Sequence, residues 1–315
     1  MNKLIRRFRE IGPVRFIKKA TFYDEVYAVG IRPYTPSAEK FITTSVPFTL
    51  LKERTSDWMA DPLLFTYQGD DWLFVEVFEK ATHRGSIGVI DLSLPEEQRI
   101  PRIIIRESYH MSFPMVFEWN DEVFMVPETS ENHSINLYRT KSFPYEWELV
   151  QSFPTVGLIV DSVILKKTDH SITFLASETN PENELLVRFM EYQISKHRST
   201  FTYSITSHRS SHTYTERNGG VPLHKFDQDW MVTQNSSEID YGVSISISSY
   251  ENQKLKQRET YDSNTLIIRG ISKNSILGIH TYSRTTNYEV IDIRYLKFDP
   301  LLNLHRIQNH IKKHL

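Results

Sequence analysis

Acidic side chains recur at two positions of a pattern that fills most of the sequence. The pattern is an apolar run, a polar turn and a second apolar run, first seen at residues 60–78 as ADPLLFTYQGDDWLFVEVF. Four further copies begin at residues 112, 160, 218 and 264, and all five align without gaps. Because carboxyl groups inside a sheet core are costly unless paired or hydrated, acids among these apolar runs predict a polar pocket. The second position holds Asp61, Phe113, Asp161, Gly219 and Thr265, and the seventeenth holds Glu76, Glu128, Ala176, Gln234 and His280.

Carboxyl groups that lie close together in a fold can act as a general acid and a general base. Close carboxyl groups push one another's pKa values apart, so that one keeps its proton while another is ionised at neutral pH. The second and seventeenth positions lie across the two strands of a hairpin at the same end. The predicted ring of polar side chains consists of Asp61, Glu76, Glu128, Asp161, Gln234 and His280.

Each member of this ring also has an ordinary structural explanation. Asp61 stands before Pro62, where it could cap a strand or a turn. Glu76 lies in the alternating run FVEVF and could face solvent, whereas His280 could be a hydrogen-bonded histidine of the core. A cluster of ionisable residues in a cleft is a candidate site and not proof of one, so both explanations stay open.

The elements that must position the ring are β-hairpins. Two apolar strands flank a tight loop containing Gly, Asn or Asp in each copy. The copies start about fifty residues apart, and an all-β repeat of that length is typical of a propeller. Outer strands follow at residues 86–91 and 100–106, 134–139 and 147–152, 185–194 and 200–207, and 243–250 and 257–261. We therefore predict an all-β, five-bladed β-propeller with four-stranded antiparallel blades, whose ring surrounds one mouth of the central channel.

The fifth copy lacks a complete set of outer strands. A strand is predicted at residues 288–298, but no fourth strand follows it. Residues 25–33 and 41–50 are strand-like, and we expect one of these two segments to complete the blade and close the ring. The predicted organisation is a basic segment at residues 1–24, the propeller at 25–300 and a basic helical tail at 301–315.

Three stretches beside the hairpins are expected to lie at the same mouth. ESYHMS at residues 107–112 offers Tyr109 and His110, TERNGG at 215–220 offers Arg217, and EIDYG at 238–242 offers Asp240 and Tyr241. Aromatic side chains beside carboxylates suit a sugar, which needs apolar stacking together with hydrogen bonds. An Arg in the same place suits a phosphate or a carboxylate of the ligand. The alternative for each stretch is a purely structural loop.

The composition excludes several classes of protein. The 315 residues carry a net charge of −2, which gives no reason to expect nucleic acid as a partner. The sequence contains no Cys, so it has no disulfide and no cysteine-built metal site. No apolar stretch approaches about 20 residues, and the N-terminus lacks the pattern of a signal peptide. We expect a cytoplasmic protein without a cofactor or a metal site.

Basic residues are concentrated at both ends of the chain. Residues 2–19 contain seven Lys or Arg and one Glu, with apolar residues at helical spacing before Pro13. One interpretation is an amphipathic helix on the anionic inner face of a membrane; the other is a solvated helix packed on the propeller. The tail contains His305, His310 and His314, but their spacing without a neighbouring carboxylate does not predict a metal site.

The motifs together resemble a known family. They are ADPLLF with LFVE, SYHMSFPMVFEWNDEVFMVPET, NGGVPLHKF, QNSSEIDYG, GIHTY and YEVIDIR. This set is similar to the propeller domain at the N-terminus of plant glucosamine inositolphosphorylceramide transferases, over about residues 57–298. The resemblance implies a carbohydrate-active propeller that acts in glycosyl transfer, with a sugar or nucleotide sugar as ligand and possible partner enzymes of glycan assembly.

That domain is in turn similar in architecture to the five-bladed glycosidases of family forty-three. This similarity implies that Asp61 is a base or nucleophile, with Glu128 as the acid and Asp161 as the residue that adjusts their pKa values. The sequence departs from the glycosidase pattern in two places. Phe113 stands where the second blade would carry an Asp, and Glu128 lies on a second strand.

Three functions follow from these observations. The first is a glycosyltransferase, or a component of one, in surface polysaccharide or glycolipid biosynthesis, with Arg217 and His280 binding the donor phosphate or the acceptor. The second is a glycoside hydrolase that uses the same carboxylates. The third is a non-catalytic propeller that binds a glycan or a protein. Fold alone does not choose among them.

Overall fold

The chain folds into five β-sheets arranged as the blades of a propeller. The computed structural model describes residues 22–300 except 53–56, 181, 207–213, 238–239 and 252–253. The first two strands are β1 (Tyr23–Pro33) and β2 (Phe48–Leu50), and both belong to the last blade. Three short 3₁₀ turns lie at Glu96–Gln98, Ser130–Asn132 and Lys273–Ser275.

Blades 1 to 4 are consecutive four-stranded antiparallel meanders. Blade 1 contains β3 (Trp58–Tyr67), β4 (Asp70–Glu79), β5 (Arg84–Asp91) and β6 (Arg102–Ile105). Blade 2 contains β7 (Ser112–Trp119), β8 (Glu122–Glu128), β9 (Ser134–Ser142) and β10 (Glu146–Pro154). Blade 3 contains β11 (Ile159–Lys167), β12 (Ser171–Asn180), β13 (Asn183–His197) and β14 (Thr200–Ile205). Blade 4 contains β15 (Glu216–Lys225), β16 (Gln228–Asn235), β17 (Ser244–Glu251) and β18 (Lys254–Tyr261).

These four sheets confirm the predicted all-β propeller with four-stranded antiparallel blades. The inner hairpins begin at residues 58, 112, 159 and 216, against predicted starts of 60, 112, 160 and 218. Most side chains of the inner strands are buried, because each sheet packs against the sheets on both sides. One packed cluster, for example, joins Phe117 and Phe124 of blade 2 to Phe174 and Tyr192 of blade 3.

Blade 5 differs from its prediction. Residues 264–282 do not form a hairpin; they contain β19 (Ile268–Arg269), β20 (Ile276–Gly278) and the start of β21 (Tyr282–Arg284). The stretch opens as a turn because a carboxylate oxygen of Asp262 accepts hydrogen bonds from the backbone N–H groups of Asn264 and Thr265. The segments β20 and β21 form the inner edge, and β22 (Tyr288–Phe298) is the second strand.

Both N-terminal strands complete this blade, where the sequence predicted one. β1 pairs with β22 over eleven residues, from Tyr23 opposite Phe298 to Pro33 opposite Tyr288. β2 then pairs antiparallel with β1, and the short β19 adds to β2 in parallel. This exchange of strands between the two ends of the described chain closes the ring of blades.

The predicted basic segments lie almost wholly outside the described residues. Only residues 22–24 of the segment at 1–24 are described, and the tail at 301–315 is not. The membrane association suggested by these segments therefore stays a prediction. Among the residues that the structure describes, no helix is long and apolar enough to cross a membrane.

Candidate active site at the channel mouth

A bulge near the start of the inner strand turns the second position of the repeat toward the ring. In blades 1, 2 and 3 the pairing register shifts there, and Asp61, Phe113 and Asp161 have left-handed backbone with φ of 47°, 43° and 51°. Asp tolerates this conformation well, whereas it is unusual for Phe. In blade 4 the position is Gly219, where a Cβ atom would lie 2.6 Å from the carbonyl oxygen of His280. In these four blades the second position of the repeat therefore coincides with a bulge of the inner strand.

Asp61, on the inner strand of blade 1, is held by groups from blades 2 and 5. It is buried, and one of its carboxyl oxygens accepts a hydrogen bond from the backbone N–H of Phe113 at 3.2 Å. The other oxygen accepts from the hydroxyl of Thr281 at 3.0 Å. Burial raises the pKa of Asp61, the nearby His280 opposes this rise, and the negative charge of Asp292 adds to it. Asp61 is therefore a carboxyl group that can exchange a proton closer to neutral pH than an exposed Asp.

Asp292 is a buried acid of the site that the repeat did not reveal. One of its oxygens accepts from the backbone N–H groups of His280 and Thr281, at 3.1 and 2.9 Å. Its other oxygen accepts from the backbone N–H of Asp61 at 3.1 Å and lies 2.7 Å from Nδ1 of His280. Asp292 therefore joins the inner strand of blade 1 to that of blade 5. The available signal was an acid inside the apolar run VIDIR, which resembles the setting of Asp161 in VDSV.

His280 lies between two tyrosine rings beside these acids. Its ring centroid is 4.8 Å from that of Tyr27 and 5.4 Å from that of Tyr241. Nδ1 is 3.6 Å from a carboxyl oxygen of Asp61, farther than from Asp292. Burial by itself would lower the pKa of His280, but Asp292 and then Asp61 raise the pKa above its usual value. The two acids thus favour the protonated form of His280.

Asp161 occupies the opposite side of the ring, between blades 3 and 4. One carboxyl oxygen accepts from the side-chain amide of Gln234 at 3.3 Å and lies 3.5 Å from Nε of Arg217. Burial raises the pKa of Asp161 well above its usual value, Arg217 opposes the rise, and Glu128 adds to it through charge and a hydrogen bond. Glu128 is the more accessible partner and also accepts from the hydroxyl of Ser130 at 2.8 Å.

Glu76 faces His110 at the edge of the ring on blade 1. The backbone N–H of Gly85 donates to Nδ1 of His110 at 2.9 Å, which places the proton of the neutral imidazole on Nε2. That nitrogen lies 3.5 Å from Oε1 of Glu76. A Cβ atom on Gly85 would lie 2.6 Å from the same oxygen, so a larger residue there would disturb this approach. Burial, followed by the charges of Asp61 and Glu128, raises the pKa of Glu76 well above its usual value.

The raised pKa of Glu76 makes a prediction about stability. The native state binds this proton more tightly than the unfolded chain, whose reference pKa is 4.5. The contribution of Glu76 to stability is therefore complete below that value and is lost as the pH rises through the native pKa. The variant Glu76→Gln cannot ionise, so its melting temperature should fall less than that of the wild type between about pH 5 and about pH 9. Thermal unfolding followed by circular dichroism measures this difference.

Glu79 provides the matched control for this experiment. It lies on the same strand, but a hydrogen bond from Arg106 lowers its pKa. Its contribution to stability is therefore present above the unfolded pKa and lost as the pH falls through the native pKa. Glu79→Gln should lower the melting temperature at neutral pH. It should not reduce the fall in melting temperature that the wild type shows as the pH rises. Parallel pH profiles of the wild type and Glu76→Gln would contradict the assignment.

The other residues predicted from the sequence differ in their surroundings, and not all of them lie beside the ring. Tyr241 lies against His280, and its ring also supports the guanidinium of Arg217 at 4.3 Å. Asp240 is 3.1 Å from the guanidinium of Arg294, which is a second residue that the sequence did not single out. Tyr109 packs in the core between blades 1 and 2, where its hydroxyl accepts from the side chain of Asn136 at 2.8 Å. The proposed sugar-binding roles of these residues stay predictions.

Within the described part of the chain, one group of side chains brings together atoms of the kind that bind a metal ion. Asp61, His280 and Asp292 each offer a ligand atom, and these atoms lie within 4.8 Å of one another. Both oxygens of Asp292 already serve three backbone N–H groups and the imidazole, so an ion would have to compete with these hydrogen bonds. The donor set therefore fits the observed hydrogen-bonded cluster better than a metal centre.

Comparison with known proteins identifies relatives of this chain. The family model described as glucosamine inositolphosphorylceramide transferase 1, N-terminal, matches residues 36–286. The glucosamine inositolphosphorylceramide transferase 1 of Arabidopsis thaliana is 39% identical over 116 residues, which are 36% of this chain and 13% of that protein. The protein of the same name from Oryza sativa subsp. indica is 35% identical over 111 residues, 35% of this chain and 15% of that protein. The matched stretch thus spans only a small part of these curated relatives.

The comparison with solved structures found matches that are distant in sequence. An exo-β-1,3-galactanase from Phanerochaete chrysosporium, solved with β-1,3-galactotriose, is 11% identical with a TM-score of 0.48 and covers 69% of this chain and 54% of its own. A β-fructofuranosidase from Bombyx mori is 12% identical with a TM-score of 0.47 and covers 92% of this chain and 62% of its own.

Proposed function

Since this chain belongs to the family of the glucosamine inositolphosphorylceramide transferase 1 N-terminal domains, we propose that it is a carbohydrate-active propeller that takes part in glycosyl transfer. The observation that carries the proposal is that buried carboxyl groups with raised pKa lie close together on the inner strands of neighbouring blades. Asp61, Glu76 and Asp161 each have a raised pKa, and each is affected by the charge of at least one other acid of the ring. Such clusters are typical of sites that move protons.

Asp61 is the proposed base or nucleophile. Its two hydrogen bonds, from the N–H of Phe113 and the hydroxyl of Thr281, fix the carboxyl group without neutralising it. The left-handed bulge aims the carboxyl group away from its own strand and into the ring. A sugar hydroxyl bound there would give up its proton to Asp61 as it attacks the donor carbon.

Glu128 and Asp161 together form the proposed acid. Glu128 is the group proposed to deliver the proton, because Asp161 is buried whereas Glu128 is half-buried. Asp161 holds the proton through its raised pKa, and Arg217 and Gln234 keep its carboxyl group in place. The base takes the proton of the attacking hydroxyl, and the acid gives a proton to the leaving oxygen when the donor is a glycoside.

A product assay tests the proposal. The purified chain is incubated with a panel of nucleotide sugars and with glycolipid or polysaccharide acceptors, and products are identified by mass spectrometry. A parallel panel of aryl glycosides and furanosides reports hydrolysis. New glycosidic product from a nucleotide sugar supports the proposal, and release of free sugar from the glycosides alone would replace it with hydrolysis.

A binding function is favoured by one observation of its own. The stretch matched in the curated relatives covers only 13% and 15% of their length, so their activity can depend on regions that the matched stretch does not include. In that case the ring would bind a glycan without converting it. Isothermal titration that shows sugar binding, together with no product in either panel, would establish this alternative. Cytoplasmic location and attachment to a membrane through the basic segments stay part of the proposal.

A further inference from the structure

Over the described part of the chain, Arg217 lies farther from its nearest carboxyl oxygen than the buried Arg32 and Arg294 do. The side chain of Arg32 is 2.8 Å from Glu289, and Arg294 lies 3.0 Å from Glu25 and 3.1 Å from Asp240. Arg217 is only 15% exposed, yet its nearest carboxyl oxygen, on Asp161, is 3.5 Å from Nε. Among the residues that the structure describes, its terminal nitrogens donate no hydrogen bond to a carboxylate or a carbonyl.

The neighbouring groups favour the charged form of Arg217. Burial lowers its pKa, but Tyr241 and the carboxyl groups of Asp161, Glu128 and Asp61 raise the pKa above its usual value. Asp161 is the acid nearest to the guanidinium among the described residues, and it contacts Nε and not the terminal nitrogens. The flat face of the guanidinium is meanwhile fixed, because it lies 4.3 Å over the ring of Tyr241. The fork of terminal nitrogens is thus oriented and available.

We propose that Arg217, held on Tyr241, binds an anionic group of the substrate, either a phosphate or a carboxylate. The planar guanidinium can donate two parallel hydrogen bonds to such a group, which a Lys in the same place could not do. The proposal deepens the function proposed above and rests on it: the sugar bound at the ring would carry a negative charge close to the transferred carbon or on the acceptor.

Isothermal titration with four probes tests this inference. The probes are glucose, glucose 1-phosphate, glucuronate and inorganic phosphate. The wild type should bind at least one charged sugar about tenfold or more tightly than glucose. A preference for glucose 1-phosphate indicates a phosphate ligand, and a preference for glucuronate indicates a carboxylate. Arg217→Gln should abolish the preference for the charged sugars over glucose, and Arg217→Lys should retain only part of this preference.

Arg106→Gln is the matched control, since it removes an exposed guanidinium that is paired with Glu79 on the surface of blade 1. This variant should keep the full preference of the wild type. The inference would be overturned if Arg217→Gln showed the same preference as the wild type, or if the wild type bound glucose and both charged sugars with equal affinity. Neither result would argue against the sugar site itself. Binding of phosphate without any sugar would support the anion site and count against the proposed function. Absence of binding of all four probes would count against both.

Discussion

Replacement of Asp61 by Asn is expected to reduce product formation by about 10²- to 10⁴-fold while the protein stays folded. The amide has the same shape as the carboxyl group and can still accept the hydrogen bond from Phe113 or Thr281. Asn also tolerates the left-handed backbone that this position requires, at φ 47°. What the variant loses is the group that takes up a proton or attacks the sugar. Product formation is measured under the conditions of the assay above, and folding by thermal unfolding.

Asp227→Asn is the control for this substitution. Asp227 has a similar left-handed backbone, at φ 57°, but is exposed in the turn between β15 and β16 at the far end of blade 4. The control should retain the activity of the wild type. Full activity in Asp61→Asn would remove Asp61 from the reaction, and equal losses in both variants would point to a backbone effect.

Replacement of Asp292 by Ala is expected to destabilise the fold by about 3–5 kcal/mol. The change leaves the N–H groups of Asp61, His280 and Thr281 without their acceptor inside the ring. It also removes the carboxylate closest to the imidazole of His280. A loss of this size corresponds to a decrease of roughly 10 °C in melting temperature for a domain of this length. Urea unfolding at neutral pH, followed by tryptophan fluorescence, measures the free energy directly.

Asp70→Ala serves as the comparison, because Asp70 is exposed at the turn between β3 and β4. A surface change of this kind should alter stability by less than about 0.5 kcal/mol. Asp292→Ala with the stability of the comparison variant would show that the four contacts of the carboxylate contribute little. That result would also weaken the view that Asp292 ties blade 1 to blade 5.

The first four blades could be predicted because their signals are local. Each inner hairpin has two apolar runs and its own turn, and the structure places the hairpins within two residues of the predicted starts. Blade 5 is built from distant segments, since β1 pairs with β22 from the other end of the chain. Local patterns carry no information about such a pairing. The predicted fifth repeat at residues 264–282 begins in the turn that Asp262 stabilises. It therefore does not coincide with the inner edge of the blade, which β20 and β21 form.

The candidate site was predicted in part for the same reason. Asp61 and Asp161 stand at equivalent positions because the bulge recurs, so alignment of the copies was sufficient to bring them together. Asp292 was missed because β22 was interpreted as an outer strand, whereas it is the second strand of its blade. His280 was found through an incorrect alignment, and the structure places it on the inner edge between β20 and β21. Contacts between blades, such as that of Asp161 with Arg217, have no counterpart in sequence spacing.

The central claim is that the carboxyl ring at the channel mouth is where a sugar binds and reacts. A crystal structure of Asp61→Asn with the nucleotide sugar or glycoside selected in the product assay tests it most directly. The account predicts the sugar at the mouth, within hydrogen-bonding distance of Asn at position 61 and of Glu128, with any anionic group of the ligand against Arg217. A ligand bound at the outer strands or between two blades, with the ring free of sugar at saturating concentration, would contradict it.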